Sequence, residues 1–71
     1  MITALRLARM KTGKTLRSFA NENHFSEVML SRIERGQAYV PPNWREKLAQ
    51  ALGVRVEDIC DPVTGWPRLA G

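Results

Sequence analysis

Four residues in the stretch SEVMLSRIERG (26–36) have side chains that can read the edges of base pairs. A guanidinium such as that of Arg32 can donate two parallel hydrogen bonds to O6 and N7 of guanine. The carboxylate of Glu27 can accept from N4 of cytosine, Val28 can touch a thymine methyl, and Ser31 can bond several edges. Leu30 and Ile33, three apart, are spaced to face a core. Arg32 and Arg35, also three apart, lie on a different face. The acid at the leading edge is the difficulty, because a carboxylate facing DNA repels phosphate. It is tolerable if it points into the groove at a donor, or if it pairs with a neighbouring base. Its place in the first helical turn gives it a second use, since a carboxylate there gains about 0.3–1 kcal/mol from the helix dipole.

Other residues have the chemistry of phosphate contacts. Helix starts and flanking bases supply such contacts. Lys14, Thr15 and Arg17 stand at one helix start, and Ser26 at the next. Arg35, Gln37 and Tyr39 follow the second of these helices, and Asn43 and Arg45 open a later one. The charge distribution agrees. Net charge is +4, and the isoelectric point is about 10.0. Residues 1–40 carry seven Lys/Arg against three acids, whereas residues 41–71 carry four of each. The positive excess therefore lies in the first 40 residues, as expected of a surface that meets a polyanion.

Catalytic and metal chemistry find little to work with. His24 is the only histidine and Cys60 the only cysteine, so no metal-ligand spacing and no internal disulfide arise. Ser26 is close to His24, but helix capping already occupies it, and no nucleophile–base pair is formed. Neither an enzyme nor a cofactor is expected. No apolar run approaches the roughly 20 residues of a membrane span, and the N-terminus is too interrupted by Arg and Lys for a signal peptide. A cytoplasmic protein without membrane or small-molecule partner is the expectation.

The elements that must position these residues can be read from caps and spacing. Thr3 caps a helix that runs to about residue 12, with Gly13 in the position that ends it. Thr15 caps a short helix over 16–22, which Asn23 and His24 close. Ser26 caps a third helix, 27–35, stopped by Gly36. Tyr39-Val40-Pro41-Pro42 is an extended connector. A fourth helix covers about 43–52, with Trp44, Leu48, Ala51 and Leu52 near one stripe and Gly53 at its end. A last turn spans 56–60. No strand signal appears. Residues 1–60 form one small domain, and 61–71, with Pro62, Gly65 and Pro67, form a loop-like tail. Only three or four residues join helices 16–22 and 27–35, which fits a helix-turn-helix. Ala20 is small where two backbones would approach, and Phe19, Phe25, Leu30 and Ile33 supply the apolar contacts.

TLRSFA (15–20), SRIERG (31–36), KLAQALGV (47–54) and VEDI (56–59) then make a joint pattern. Over roughly residues 5–59 the chain resembles the Cro/C1-type (XRE-like) helix-turn-helix family. The resemblance implies an all-α, five-helix, lambda-repressor-like DNA-binding domain. It also implies that helix 27–35 is the recognition helix in the major groove, with Glu27, Val28, Ser31 and Arg32 facing bases. It further implies a homodimer on a palindromic operator, and a structural ion pair between Arg9 and Glu34. The chain departs from the pattern in three places. His24 stands where the family often has Gly in the turn. Lys14 and Leu16 stand where a buried leucine and a phosphate-binding Gln are common. The AYVPPN loop and Trp44 replace the usual leucines. The expected function is a phage repressor-like transcriptional regulator acting on double-stranded DNA. The alternative is an antitoxin or adaptor-type module that binds a protein partner.

Overall fold

The computed structural model describes residues 2–70. Met1 of the expected domain and Gly71 of the expected tail lie outside them. Five helices follow in order: α1 (Ala4–Lys11), α2 (Leu16–Glu22), α3 (Glu27–Glu34), α4 (Pro42–Leu52) and α5 (Val56–Ile59). The fold is all-α, as the sequence implies. The boundaries differ slightly from expectation. Arg35 is the cap of α3 rather than its last residue, α4 begins at Pro42, and Cys60 leaves α5 in an extended conformation.

The caps explain why these segments are helical. The hydroxyls of Thr3, Thr15 and Ser26 each accept from the backbone N–H three residues on, in Arg6, Ser18 and Met29. Each satisfies one of the donors that a helix start leaves open. Pro42 needs no such partner, because proline at the first helical position has no N–H to orphan. At the other end, α2 and α3 close alike. The Phe25 N–H donates to Ala20 O at 2.8 Å, and the Gln37 N–H donates to Arg32 O at 2.9 Å. The residue between the helix and that donor must have positive φ. Gly36 supplies it at 74°, and His24 supplies it at 59°, the only non-glycine positive φ among the described residues.

The core forms where the helices meet. Leu5, Phe19, Ala20, Leu30, Ile33, Val40, Leu48, Ile59 and Cys60 are all but inaccessible to solvent. Phe25 joins them, with its ring centroid 6.3 Å from Phe19 and 4.8 Å from Trp44. Trp44 and Leu52, on the apolar stripe of α4, are half-buried and pack on its edge. Leu16 also packs there, in keeping with its exchange for a polar residue. Ala38 and Val40, between α3 and α4, and Ala49, beside the α4 stripe, complete the core.

The tail is without helix but is not detached. It returns along the domain through two isolated antiparallel bridges, Thr3 with Leu69 and Cys60 with Pro67. The Ala4 N–H donates to Arg68 O at 2.8 Å, the Val40 N–H to Gly65 O at 2.7 Å, and the Arg68 N–H to Ile59 O at 3.0 Å. The Asp61 carboxylate turns the chain by accepting from the N–H groups of Thr64 and Val63, which hold its pKa below the ordinary 3.8. Burial pushes the Cys60 thiol up, so it stays protonated and packs as a small apolar group.

Candidate nucleic-acid interface

The position of α3 is fixed by its inner face. Leu30 and Ile33 are fully buried against Phe19, Ala20 and Phe25. At its last turn Glu34 is 5% exposed, yet charged and matched. Its two oxygens accept from Arg9 Nε at 2.6 Å and Nη2 at 3.0 Å. The remaining Arg9 nitrogen donates to Lys14 O at 2.9 Å, and the Thr3 hydroxyl donates to Glu34 O at 2.8 Å. One arginine thus ties α1, the α1–α2 loop and α3 together. A two-pronged guanidinium–carboxylate contact fixes orientation as well as distance. Thr3, which also caps α1, is a contributor to this clamp that cap reasoning alone did not show. Its burial at the foot of α3 depends on a contact 31 residues away in sequence.

The outer face of α3 is left open. Val28 is 74% exposed, Arg32 is exposed, and Ser31 is half-buried. The Arg32 side chain forms no hydrogen bond or ion pair among the described residues. Glu27 shares this leading edge but has a partner. Its Oε1 lies 3.6 Å from Arg17 Nε across the turn. The sequence posed the choice between a groove donor and a neighbouring base; in this structure the neighbouring base is Arg17.

The nominated phosphate contacts divide. Thr15 and Ser26 are exposed at their helix starts with their hydroxyls in caps. Gln37, Tyr39 and Asn43 are exposed. Arg35 is exposed, with its Nε directed to Ser31 O at 3.4 Å. Lys14 is paired with Glu22 at 2.6 Å, both half-exposed. Arg45 departs furthest from the sequence-based expectation. Its Nε donates to Val40 O at 3.0 Å and its Nη1 to Pro62 O at 3.1 Å, so its cation is engaged in holding the tail. The sequence could not show this, because the acceptors are backbone carbonyls of two segments, the connector before α4 and the tail, that carry no secondary-structure signal. Tyr39 carries a neighbour that spacing did not assign. Trp66 stands edge-on to it, 6.1 Å between ring centroids, with both rings about half exposed.

No group of three or more His, Cys, Asp or Glu suited to a metal occurs among the described residues. No helix among them is long and apolar enough to cross a membrane. What remains is a capped helix on a short turn, clamped from behind and open in front. That arrangement defines a helix-turn-helix domain, the architecture associated with DNA-binding regulators. A family model described as a helix-turn-helix domain matches residues 3–59, and the chain belongs to that family. No curated protein and no solved structure matches the chain.

Proposed function

We propose that this protein is a sequence-specific DNA-binding transcriptional regulator of the repressor type, with α3 in the major groove. The observation that carries the reading is the division of α3 by face. Its inner face is immobilised by Leu30, Ile33 and the Arg9–Glu34 pair, while Val28, Ser31 and Arg32 stand on its other side, Val28 in its first turn and Arg32 in its last. In this reading Arg32 pairs with guanine, Val28 meets a thymine methyl, Ser31 bonds a base edge, and Glu27 accepts from cytosine. Thr15, Ser26, Arg35, Gln37, Tyr39 and Asn43 lie along the backbone on either side.

The protein acts as a homodimer in this proposal. Recognition helices of a dimer read half-sites about 34 Å apart, one turn of DNA. Each copy presents a single α3, so two copies are needed to read two half-sites. Selection of bound duplexes from a random pool tests the reading, because a palindrome with one-turn spacing is the expected product. Arg32→Ala should then cost about 1–3 kcal/mol at one base pair per half-site and relax specificity there. A uniform loss across all sequences would remove Arg32 from the base-reading role.

A second reading has one observation in its favour. Tyr39, Val63, Trp66 and Leu69 leave large apolar groups exposed along the tail side. An antitoxin or adaptor-type protein partner would use such a surface. Failure to shift random duplex at micromolar protein and low salt would favour it over DNA.

A further inference from the structure

The two cations at the start of α2 are both neutralised internally. Lys14 is held by Glu22 at 2.6 Å, and Arg17 by Glu27 at 3.6 Å. The second pair matters more, because Glu27 belongs to the outward edge of α3 while Arg17 sits among the expected phosphate contacts. We infer that Arg17 and Glu27 form an ion pair that DNA sequence opens: cytosine at the Glu27 position releases Arg17 to a phosphate, and other bases leave it bound to Glu27. This rests on the DNA-binding reading above and adds a positioning role for Arg17.

The argument is one of charge. The side chains of Arg17 and Glu27 are 79% and 46% exposed, so the pair is weakly held and exchanges with little cost. On a duplex offering Glu27 no donor, moving Arg17 to a phosphate would leave a carboxylate unpaired beside a polyanion. Lys14 is paired elsewhere, with Glu22 at 2.6 Å. Arg17 therefore stays on Glu27, and one potential phosphate contact is suppressed. On a duplex that presents cytosine N4, the amino group takes over Glu27. Arg17 then gains a phosphate without abandoning a charge. Base recognition and backbone affinity become coupled through one side chain, which penalises non-cognate DNA twice.

The salt dependence of binding measures this directly, since each neutralised phosphate steepens the log–log slope by about 0.9. The intact chain, Arg17→Ala, Glu27→Gln and the double variant are titrated with random-sequence duplex between 50 and 200 mM salt. Glu27→Gln should steepen the slope by about 0.9, so that affinity falls about 3.5-fold further across that range. Arg17→Ala should leave the wild-type slope unchanged, yet cancel the gain when added to Glu27→Gln. On a selected duplex carrying cytosine at that position, Arg17→Ala alone should flatten the slope by about 0.9. An Arg17→Ala variant that flattens the random-duplex slope equally in both backgrounds would overturn the inference. An unchanged slope for Glu27→Gln would overturn it too. If none of the four proteins binds duplex at all, the DNA-binding reading itself fails, a result distinct from four proteins that bind with equal slopes.

Discussion

At the scale of single residues, Arg9 and Glu34 carry more than their surface counterparts. Lys14–Glu22 and Arg17–Glu27 are exposed pairs, whose contribution to stability is about 0–1 kcal/mol each. Arg9–Glu34 is shielded, with side chains 11% and 5% exposed; two guanidinium nitrogens bind the Glu34 carboxylate and the third binds Lys14 O. Removing one partner leaves a charge with neither water nor counterion. Arg9→Met should therefore cost about 3–5 kcal/mol. A domain of this size has a stability of roughly 0.05–0.15 kcal/mol per residue, so that loss consumes much or all of it. The double variant Arg9→Met/Glu34→Leu removes both charges and should be more stable than either single variant, as urea denaturation can show. A double variant as unstable as the sum of the singles would mean that the pair acts through Lys14 O or the local packing instead. The pairing was legible in the sequence only through the family resemblance. Nothing in the spacing of residues 9 and 34 signals a contact across 25 positions.

At the scale of elements, the legible features were those that local chemistry decides. Thr3, Thr15 and Ser26 announce helix starts because a hydroxyl can satisfy a terminal N–H within three residues. Gly36 and Gly53 announce helix ends because their φ values of 74° and 70° suit glycine. The Phe19–Ala20–Phe25–Leu30–Ile33 set was legible because turn length and apolar offsets act together. The burial of Val40 and the docking of the tail were not, since both depend on contacts between segments far apart in sequence, and no periodicity marks such contacts. His24 lies between the two cases. It takes φ of 59° at the exit of α2, where the turn requires the left-handed region and the family often has glycine. Such a conformation costs a non-glycine residue roughly 1–2 kcal/mol, part of which glycine gives back through its freer unfolded state. His24 is exposed, and its imidazole makes no hydrogen bond among the described residues. His24→Gly should thus stabilise the domain by about 0.5–1 kcal/mol, raising Tm by about 3–6 °C. DNA affinity should stay the same, because the Phe25–Ala20 hydrogen bond that sets the turn is retained. A lower Tm for the glycine variant would show that histidine is favoured there by contacts of its ring.

At the scale of the whole molecule, the tail closes the fold at both ends of the helical array. Gly65 is the point through which it docks. The residue is buried with φ of 83°, its carbonyl accepts from Val40, and a side chain there would overlap the Arg45 guanidinium and the Val40 carbonyl. Neither obstacle yields cheaply. The carbonyl is backbone, and Arg45 is fixed by its own bonds to Val40, Pro62 and Val63. Gly65→Ala should therefore undock the tail rather than merely strain it. The energy lost is then bounded by what docking contributes, the surplus of burial and hydrogen bonds over the entropy of ordering about ten residues at roughly 1–2 kcal/mol each. A chain cut after Asp61 measures that surplus independently. The two variants should show the same Tm, and in both the amides of Ala4 and Val40 should exchange as unprotected groups, since their acceptors, Arg68 O and Gly65 O, belong to the tail. Freed from Pro62 and Val63, Arg45 also becomes a cation at the start of α4, beside Asn43. Undocking should accordingly steepen the salt dependence of duplex binding by up to about 0.9 while lowering stability. Wild-type protection of Ala4 and Val40 in Gly65→Ala would show instead that the tail docks through Leu69 and Pro67, and that Gly65 only shapes the turn between them and Asp61.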